Sequence, residues 1–481
     1  MSLLGPTVPP GPGVAGGPGL TQEYARRGPL SSGWPLTALL VLYPVWWALG
    51  MGTLIIFVLA VPMLVHLVRR RPLRTPPAFG LWLLFLGWML VSTVMLSANP
   101  PGTVPSTASA RLVSVAFNLA GYLSATIVLL YAGNLSEAEY PKRRLVRQLG
   151  FFFLVVLGGG LLGTFSPTFQ FTSVVEKLLP LRVAQDVFVK SLVHPSAAQL
   201  QDVLGFSSPR PSAPFGYTNT WGDCLALLLG WFIISWLRHA SLARRVFGVI
   251  ALGLTAIPVV YSLNRGLWIG LGLAVAVTAV RLAFRGRLAL LGVVLIGSLA
   301  VGAFVAVSPL ATIIQERLDN PKSNDLRTFT SDRTLEVLGY SPVIGFGSTR
   351  AALGSPNSIA IGQDLKCPRC GNPTLGSNGQ LWLLLIAQGI GGAVLYVGYF
   401  LRSLWIYRHD RSPIGDAGIL ALALPLWFMF VYNALTMPLV ISFLSIALLW
   451  RNHQENAVPP VRTMFPVAVP RSLGRTPRLQ A

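Results

Sequence analysis

Residues 288–308 read LALLGVVLIGSLAVGAFVAVS, an apolar run without one charged side chain. At a rise of about 1.5 Å per residue, about 20 such residues in a helix match the hydrocarbon thickness of a bilayer. In water the run would have no polar face to present. The whole chain agrees with it: 481 residues, 53% hydrophobic and 11% charged, with mean hydropathy +0.62. A water-soluble protein of this length carries far more charge, so the expected class is an all-α, polytopic membrane protein. The net charge of +21 is then read against anionic lipid headgroups rather than nucleic acid.

Outward from this run the same pattern repeats. Eleven further candidate spans are 35–49, 51–68, 79–97, 111–132, 149–165, 214–237, 246–262, 266–283, 380–403, 416–434 and 436–450. The first two are divided by a tight turn at Gly50-Met51-Gly52, because one helix of their combined length would overshoot a bilayer. Basic residues follow every second span: Arg69, Arg70, Arg71 and Arg74; Lys142, Arg143, Arg144 and Arg147; Arg238, Arg244 and Arg245; Arg281, Arg285 and Arg287; Arg402, Arg408 and Arg411. Short cytoplasmic loops collect Lys and Arg, so both termini are expected in the cytoplasm. The ends, 1–34 and 451–481, are rich in Pro and Gly or in Pro and Arg and are expected to be disordered cytoplasmic tails. The membrane domain is 35–450, with two long extracytoplasmic loops at 166–213 and 309–379. No internal repeat is evident, which counts against folds built from duplicated halves.

The loop 309–379 carries Arg317, Lys322, Arg327, Arg333, Arg350, Lys366 and Arg369. An external basic loop over a membrane body points to an anionic substrate. Ser262-Leu263-Asn264-Arg265-Gly266 places an arginine at the head of a span. Its guanidinium fork can clamp phosphate oxygens with two parallel hydrogen bonds, or it can anchor the helix by reaching to headgroups. Ser323-Asn324-Asp325-Leu326-Arg327 is followed by Arg333 and by Pro342-Val343-Ile344-Gly345-Phe346-Gly347. That last stretch is either a turn bringing backbone close to a ligand or an ordinary solvated loop. Ser377-Asn378-Gly379-Gln380, with Gln388-Gly389-Ile390-Gly391-Gly392, either lines a cavity or packs helices closely. Asp223, one helical turn beyond Asn219, is a charge within a span and so a candidate functional group, or else an interfacial one.

Together these motifs resemble the O-antigen ligase and O-antigen polymerase superfamily, bacterial membrane enzymes that use polyprenyl-diphosphate-linked glycans outside the cytoplasmic membrane. Ser262 to Gly266 looks like the family's Ser-x-Ser-Arg-Gly. Asn324 and Arg327 look like its loop arginine motif, and Pro342 to Gly347 like the Pro-x-x-Gly-x-Gly that follows. Arg210 to Phe215, with Asn219 and Gly222, resembles its entry into span six, and Asn378 to Gly389 has the spacing of His-Asn…Glu-x-Gly. The resemblance covers 205–400. It implies a GT-C-like body of about twelve transmembrane helices and a site on the outer face. There a glycan would pass from the lipid diphosphate to a glycan or lipid acceptor, with no cofactor, no metal and no nucleic acid involved. Arg265, Arg327 and Arg333 would act on the diphosphate, and Arg210, Asn219, Asp223, Asn264 and Asn324 would bind substrate.

The sequence departs from the family where the chemistry matters. Asn378 stands at the position of the ligase histidine, and Ala387 at that of the acidic residue. Asparagine is no general base, so that duty would fall to His194, to an external carboxylate, or to nothing. A transporter or flippase of a lipid-linked or anionic solute, and a non-catalytic envelope component, therefore stay open. Cys367 and Cys370, close together in the outer loop, are expected to form a local disulfide. Arg350, outside every motif, is expected to tolerate Lys.

Overall fold

Each of the twelve apolar runs folds as helix in the computed structural model, which describes residues 32–202, 207–238, 240–320, 322–354 and 372–457. Seven helices among the described residues are long and apolar enough to cross a membrane: Ala108–Asn134, Lys142–Phe165, Thr218–Leu237, Leu242–Tyr261, Arg265–Phe284, Leu288–Val307 and Gln380–Tyr407. Ile55–Arg69, Phe79–Met95 and Pro413–Phe428 are apolar but shorter, and Met437–Ala457 closes the described chain. The run 35–49 is two short helices, Trp34–Val41 and Tyr43–Leu49, and the chain then turns at Gly50.

Burial separates a centre from a periphery. Met437–Ala457 packs against Ala108–Asn134, Pro413–Phe428 and Thr218–Phe232, and Ile441, Phe443, Leu444, Ala447, Leu448 and Leu449 have no exposure. Leu288–Val307 is the opposite case, with no buried residue along its length. Leu299 and Val307 are 72% and 86% exposed. A helix apolar on every side and uncovered by protein is stable only against hydrocarbon. The chain is a membrane-embedded helical protein.

The two long insertions are not plain loops. The first, 166–213, holds short helices and a hairpin pairing Ala198–Asp202 with Ser207–Pro211. The second holds the helices Leu310–Asp319 and Lys322–Leu338 and a small ladder of Arg350–Ala351 with Thr374–Leu375. These two hairpins are the departure from an all-α chain. A further bridge, Thr103 with Ala352, ties the second insertion to the 98–107 turn.

The Pro342 to Gly347 stretch meets the protein itself. The long helix Gln380–Tyr407 is interrupted at Gly389, whose φ of 65° and ψ of −169° are non-helical. Backbone groups freed by a break need new partners, and 342–347 supplies them. Phe346 and Gly347 N–H donate to the carbonyls of Ile386 and Ala387, at 2.9 and 2.7 Å. Ile390 and Gly391 N–H donate to Pro342 and Val343, at 2.8 and 3.1 Å. A Cβ on Gly389 would lie 2.4 Å from the Val343 oxygen, and one on Gly345 2.5 Å from the Gly389 nitrogen. These glycines let two backbones of one chain touch, so the stretch is a close-approach turn whose partner in the described structure is the protein's own helix.

The expected tail boundary also moves. The last helix runs to Ala457, and Arg451, inside the segment expected to be a disordered tail, is buried. Its guanidinium donates to Glu137 Oε1 at 2.7 Å and to the Tyr140 carbonyl at 2.8 Å, so the helix continues because its polar end is held. Residues 1–31 and 458–481, Cys367, Cys370 and the side chain of Asn324 lie outside the described residues.

Candidate functional site

The helix Leu242–Tyr261 and the helix Arg265–Phe284 are joined by three residues, Ser262, Leu263 and Asn264. A helix end leaves carbonyls without intrahelical partners, and here arginines from two distant segments take them. Arg210, from the hairpin of the first insertion, donates Nε to the Ser262 carbonyl at 2.6 Å, and also donates to Gln201. Arg317, from the second insertion, donates Nε to the Leu263 carbonyl at 2.9 Å. The close approach of this turn to the helix Thr218–Phe232 is permitted by Gly222, where a Cβ would lie 3.1 Å from Leu267.

Asn264 and Arg265 complete the turn. The Asn264 side chain donates to Asn219 Oδ1 at 3.1 Å and accepts from the Tyr432 hydroxyl at 2.6 Å. Arg265 and Arg317 both donate to the Asn320 carbonyl, at 2.6 and 2.8 Å. Arg327 donates to the carbonyl of Val431, beside Tyr432, at 3.3 Å. Three helices and the hairpin of the first insertion thus deliver four guanidinium groups beside one short turn.

The charges feel one another. Burial, with Arg265 and Arg327 adding repulsion, lowers Arg317 to about 10. Burial likewise lowers Arg210 to about 10, with Arg317 and Arg327 pushing the same way against Tyr432. Arg327 is also lowered, chiefly by burial, and Arg265 contributes. Arg210 and Arg317, at about 10, stay protonated at neutral pH. No carboxylate forms an ion pair with Arg210, Arg265 or Arg327 among the described residues. The Nε of Arg265 is buried without a partner there. Guanidinium groups gathered this closely are a receptor for an anion with several oxygens, such as a phosphate or diphosphate.

Of the residues expected at the site, Arg210, Asn219, Asn264, Arg265 and Arg327 come together. Arg333 does not join them: it pairs with Glu336 at 2.6 Å on its own helix and lies against Gly102. Six residues of helix separate it from Arg327, which turns the two side chains to different faces. His194 is held elsewhere. Its Nδ1 pairs with Glu176 Oε2 at 2.8 Å and its Nε2 faces Gln170 Oε1 at 3.4 Å. Asn378 donates to the Thr330 hydroxyl, and Thr330 bonds back to the carbonyl of Arg327, so Asn378 braces the helix that presents Arg327. Asp223 is 3% exposed, one turn along the helix from Asn219.

Two members were not singled out from sequence. Arg317 was one basic residue among seven, and Tyr432 looked like any aromatic at the end of an apolar run. A third arginine reverses its expectation. Arg350, expected to tolerate Lys, is 2% exposed. All three of its nitrogens are bonded, to the carbonyls of Met95, Leu96, Ala98, Phe346, Ser348 and Thr349 and to the Ser348 hydroxyl. Compared with known proteins, the sequence matches no protein-family model and no curated protein.

Proposed function

We propose that this chain transfers or polymerises a glycan from a polyprenyl-diphosphate donor onto a sugar hydroxyl in cell-envelope polysaccharide synthesis, as an O-antigen ligase or polymerase-like glycosyltransferase. The observation that carries the reading is a cluster of four arginines: Arg210 and Arg317 donate to the Ser262 and Leu263 carbonyls, Arg265 heads the helix that follows, and Arg327 lies close enough to feel its charge, with no ion-paired carboxylate at Arg210, Arg265 or Arg327 among the described residues. In such a transfer the bond from sugar carbon to diphosphate oxygen breaks, and the departing diphosphate gains negative charge. Fixed guanidinium groups stabilise that charge without reorganising at the moment of reaction. Arg265 and Arg327 are assigned to the diphosphate, because each has a single bond in the described structure, whereas Arg210 and Arg317 also hold the turn. Asn219, Asn264 and Tyr432 form the polar floor between them.

In this reading the protein is a GT-C-like body of twelve crossings in the bacterial cytoplasmic membrane, with both termini in the cytoplasm and the arginine site on the outer face. The alternation of basic exits supports that orientation. Cysteines placed at Ser106 and Ser241 test it: an impermeant thiol reagent should label the first from outside and not the second. Labelling at Ser241 would reverse the site to the cytoplasm. The functional test is the pool of lipid-linked glycan in cells lacking the protein. Accumulated donor is expected, and an unchanged pool would sink the transfer reading. A non-catalytic envelope component is kept as a second reading by one observation, that Asn378 braces Thr330 rather than offering a base.

A further inference from the structure

The start of the first insertion carries its polarity the wrong way round for a segment in water. The short helix Val174–Leu178 turns its polar groups toward the protein. The Ser173 hydroxyl at its head donates to the Val193 carbonyl at 2.7 Å, and Glu176 pairs with His194 at 2.8 Å. Val174 and Leu178, four residues apart, share one face of the helix, and Glu176 lies on the opposite one. That outer face is bare: Val174 is 52% and Leu178 79% exposed. Leu181, just beyond Pro180, is 72% exposed, as open as Leu299 on the uncovered helix Leu288–Val307. The segment also begins where membrane helices end. Phe165 closes the crossing helix Lys142–Phe165 and is itself exposed. Phe171 packs edge-on against Trp47, with ring centres 5.9 Å apart. The turn at Gly50, between two apolar runs, comes so close to Ser173 that a Cβ there would meet its hydroxyl. Exposed Lys177 and Arg182 stand among the apolar side chains. Aromatic and basic residues gathered at helix ends are the pattern of a membrane–water interface.

We propose that Val174, Leu178 and Leu181 form a lipid-binding face that anchors the first insertion in the interface of the bilayer, with Lys177 and Arg182 reaching phospholipid phosphates. An apolar face seated at the boundary of headgroups and acyl chains leaves water, while long basic side chains beside it extend to the headgroups. Lipid is the occupant because the face follows directly on the exposed end of a crossing helix and is edged by cations. The anchor bears on the arginine site through the backbone. Ala197 N–H donates to the Phe169 carbonyl at 2.8 Å, and Phe171 N–H to the Pro195 carbonyl at 3.2 Å. From Ala198 the chain enters the hairpin, where Gln199 stands opposite Arg210. The interfacial segment and the strand that presents Arg210 therefore move as one piece, and lipid contact sets the height of Arg210 over the membrane.

The test reads position in the bilayer and needs no substrate, so its outcome is independent of whether the protein transfers glycans. A nitroxide is attached in the Leu178→Cys variant and, separately, in Leu181→Cys, with Cys224, Cys367 and Cys370 changed to Ala. The full chain is placed in vesicles of phosphatidylglycerol and phosphatidylcholine. The same label in Leu299→Cys gives the hydrocarbon standard, and in Asp332→Cys, an exposed site on the second insertion, the aqueous one. Collision with oxygen, which partitions into lipid, should exceed collision with a water-soluble nickel chelate at 178 and 181, as it does at 299. The ratio found at 332 would put the face in water, leave it to a protein partner and overturn the proposal. Should the cysteine replacements prevent folding, the wild-type chain in the same vesicles decides. It is irradiated with an apolar diazirine dissolved in the bilayer: adducts within 174–184 support the anchor, and adducts confined to the crossing helices remove it.

Discussion

Arg350 and Arg265 belong to the same polar end of the protein and are used in opposite ways. Arg350 is closed: every nitrogen is taken by the backbone of 95–98 and 346–349, so its charge welds the 309–379 insertion to the turn after Phe79–Met95. Arg111 holds the same turn from the other side, donating to Leu96 at 2.6 Å and Ala98 at 3.1 Å. Arg265 is open, with one bond to Asn320 and a buried Nε that lacks a partner. Arg327 is similar, with one bond to Val431. Residue type and even burial do not separate a structural arginine from one available to a ligand. What separates them is how many donors the protein itself has already satisfied.

The comparison breaks most easily at Arg350. A lysine there keeps the charge, but its three donors cannot span the carbonyls that the planar fork reaches. Bonds to a charged donor contribute about 1.5–3 kcal/mol each, and the abandoned buried carbonyls add their desolvation cost. Arg350→Lys is expected to destabilise by about 3 kcal/mol or more, seen as a lower Tm and less folded protein. An unchanged melt would refute the closed assignment.

Arg265→Lys and Arg327→Lys are expected to fold and insert normally while transfer drops about ten- to a hundredfold, the rate equivalent of one lost charge-assisted bond. Full activity in both variants, or loss of folded protein in both, would erase the contrast with Arg350.

A pH series sharpens it further, with sulfate as a probe that keeps its charge throughout. Arg210 and Arg317 sit at about 10, below the ordinary guanidinium range. Their folded form therefore binds fewer protons than the unfolded chain above about pH 10, and below it the empty site carries a repulsion that an anion relieves. The part of sulfate's stabilisation that disappears in Arg265→Lys should be constant from about pH 6 to 9 and shrink as pH rises through about 10. A fall between about pH 6 and 7.5 would instead assign a histidine to the site.

The smallest effect is expected at His194. Paired with Glu176 and facing Gln170, it braces the first insertion. His194→Gln should leave transfer within about twofold, far less than the change of about 1.4 kcal/mol that a tenfold loss requires. A tenfold loss would return it to the site.

Much of this was legible beforehand for local reasons. Apolar length marked the helices, because hydrocarbon thickness sets one scale for all of them. Gly50 divided the first two runs, and Asn264-Arg265 announced a helix start between two apolar stretches. Arg265 and Arg327 could be named because each stands in a short motif. Arg333 could not be separated from Arg327 by type or spacing alone, and its Glu336 partner one turn on reads in sequence like any surface pair.

The sequence by itself therefore determined the membrane class, the helical runs and the supply of cations in the two long insertions. Those follow from composition and hydropathy, which act residue by residue. Only the tertiary structure decided which arginines are open. That depends on carbonyls 50 to 250 residues away, such as Ser262 for Arg210 and Ala98 for Arg350. It also decided that Gly345 serves the break at Gly389. A hydrogen bond is satisfied by position in space, and position in space is what a linear pattern leaves out.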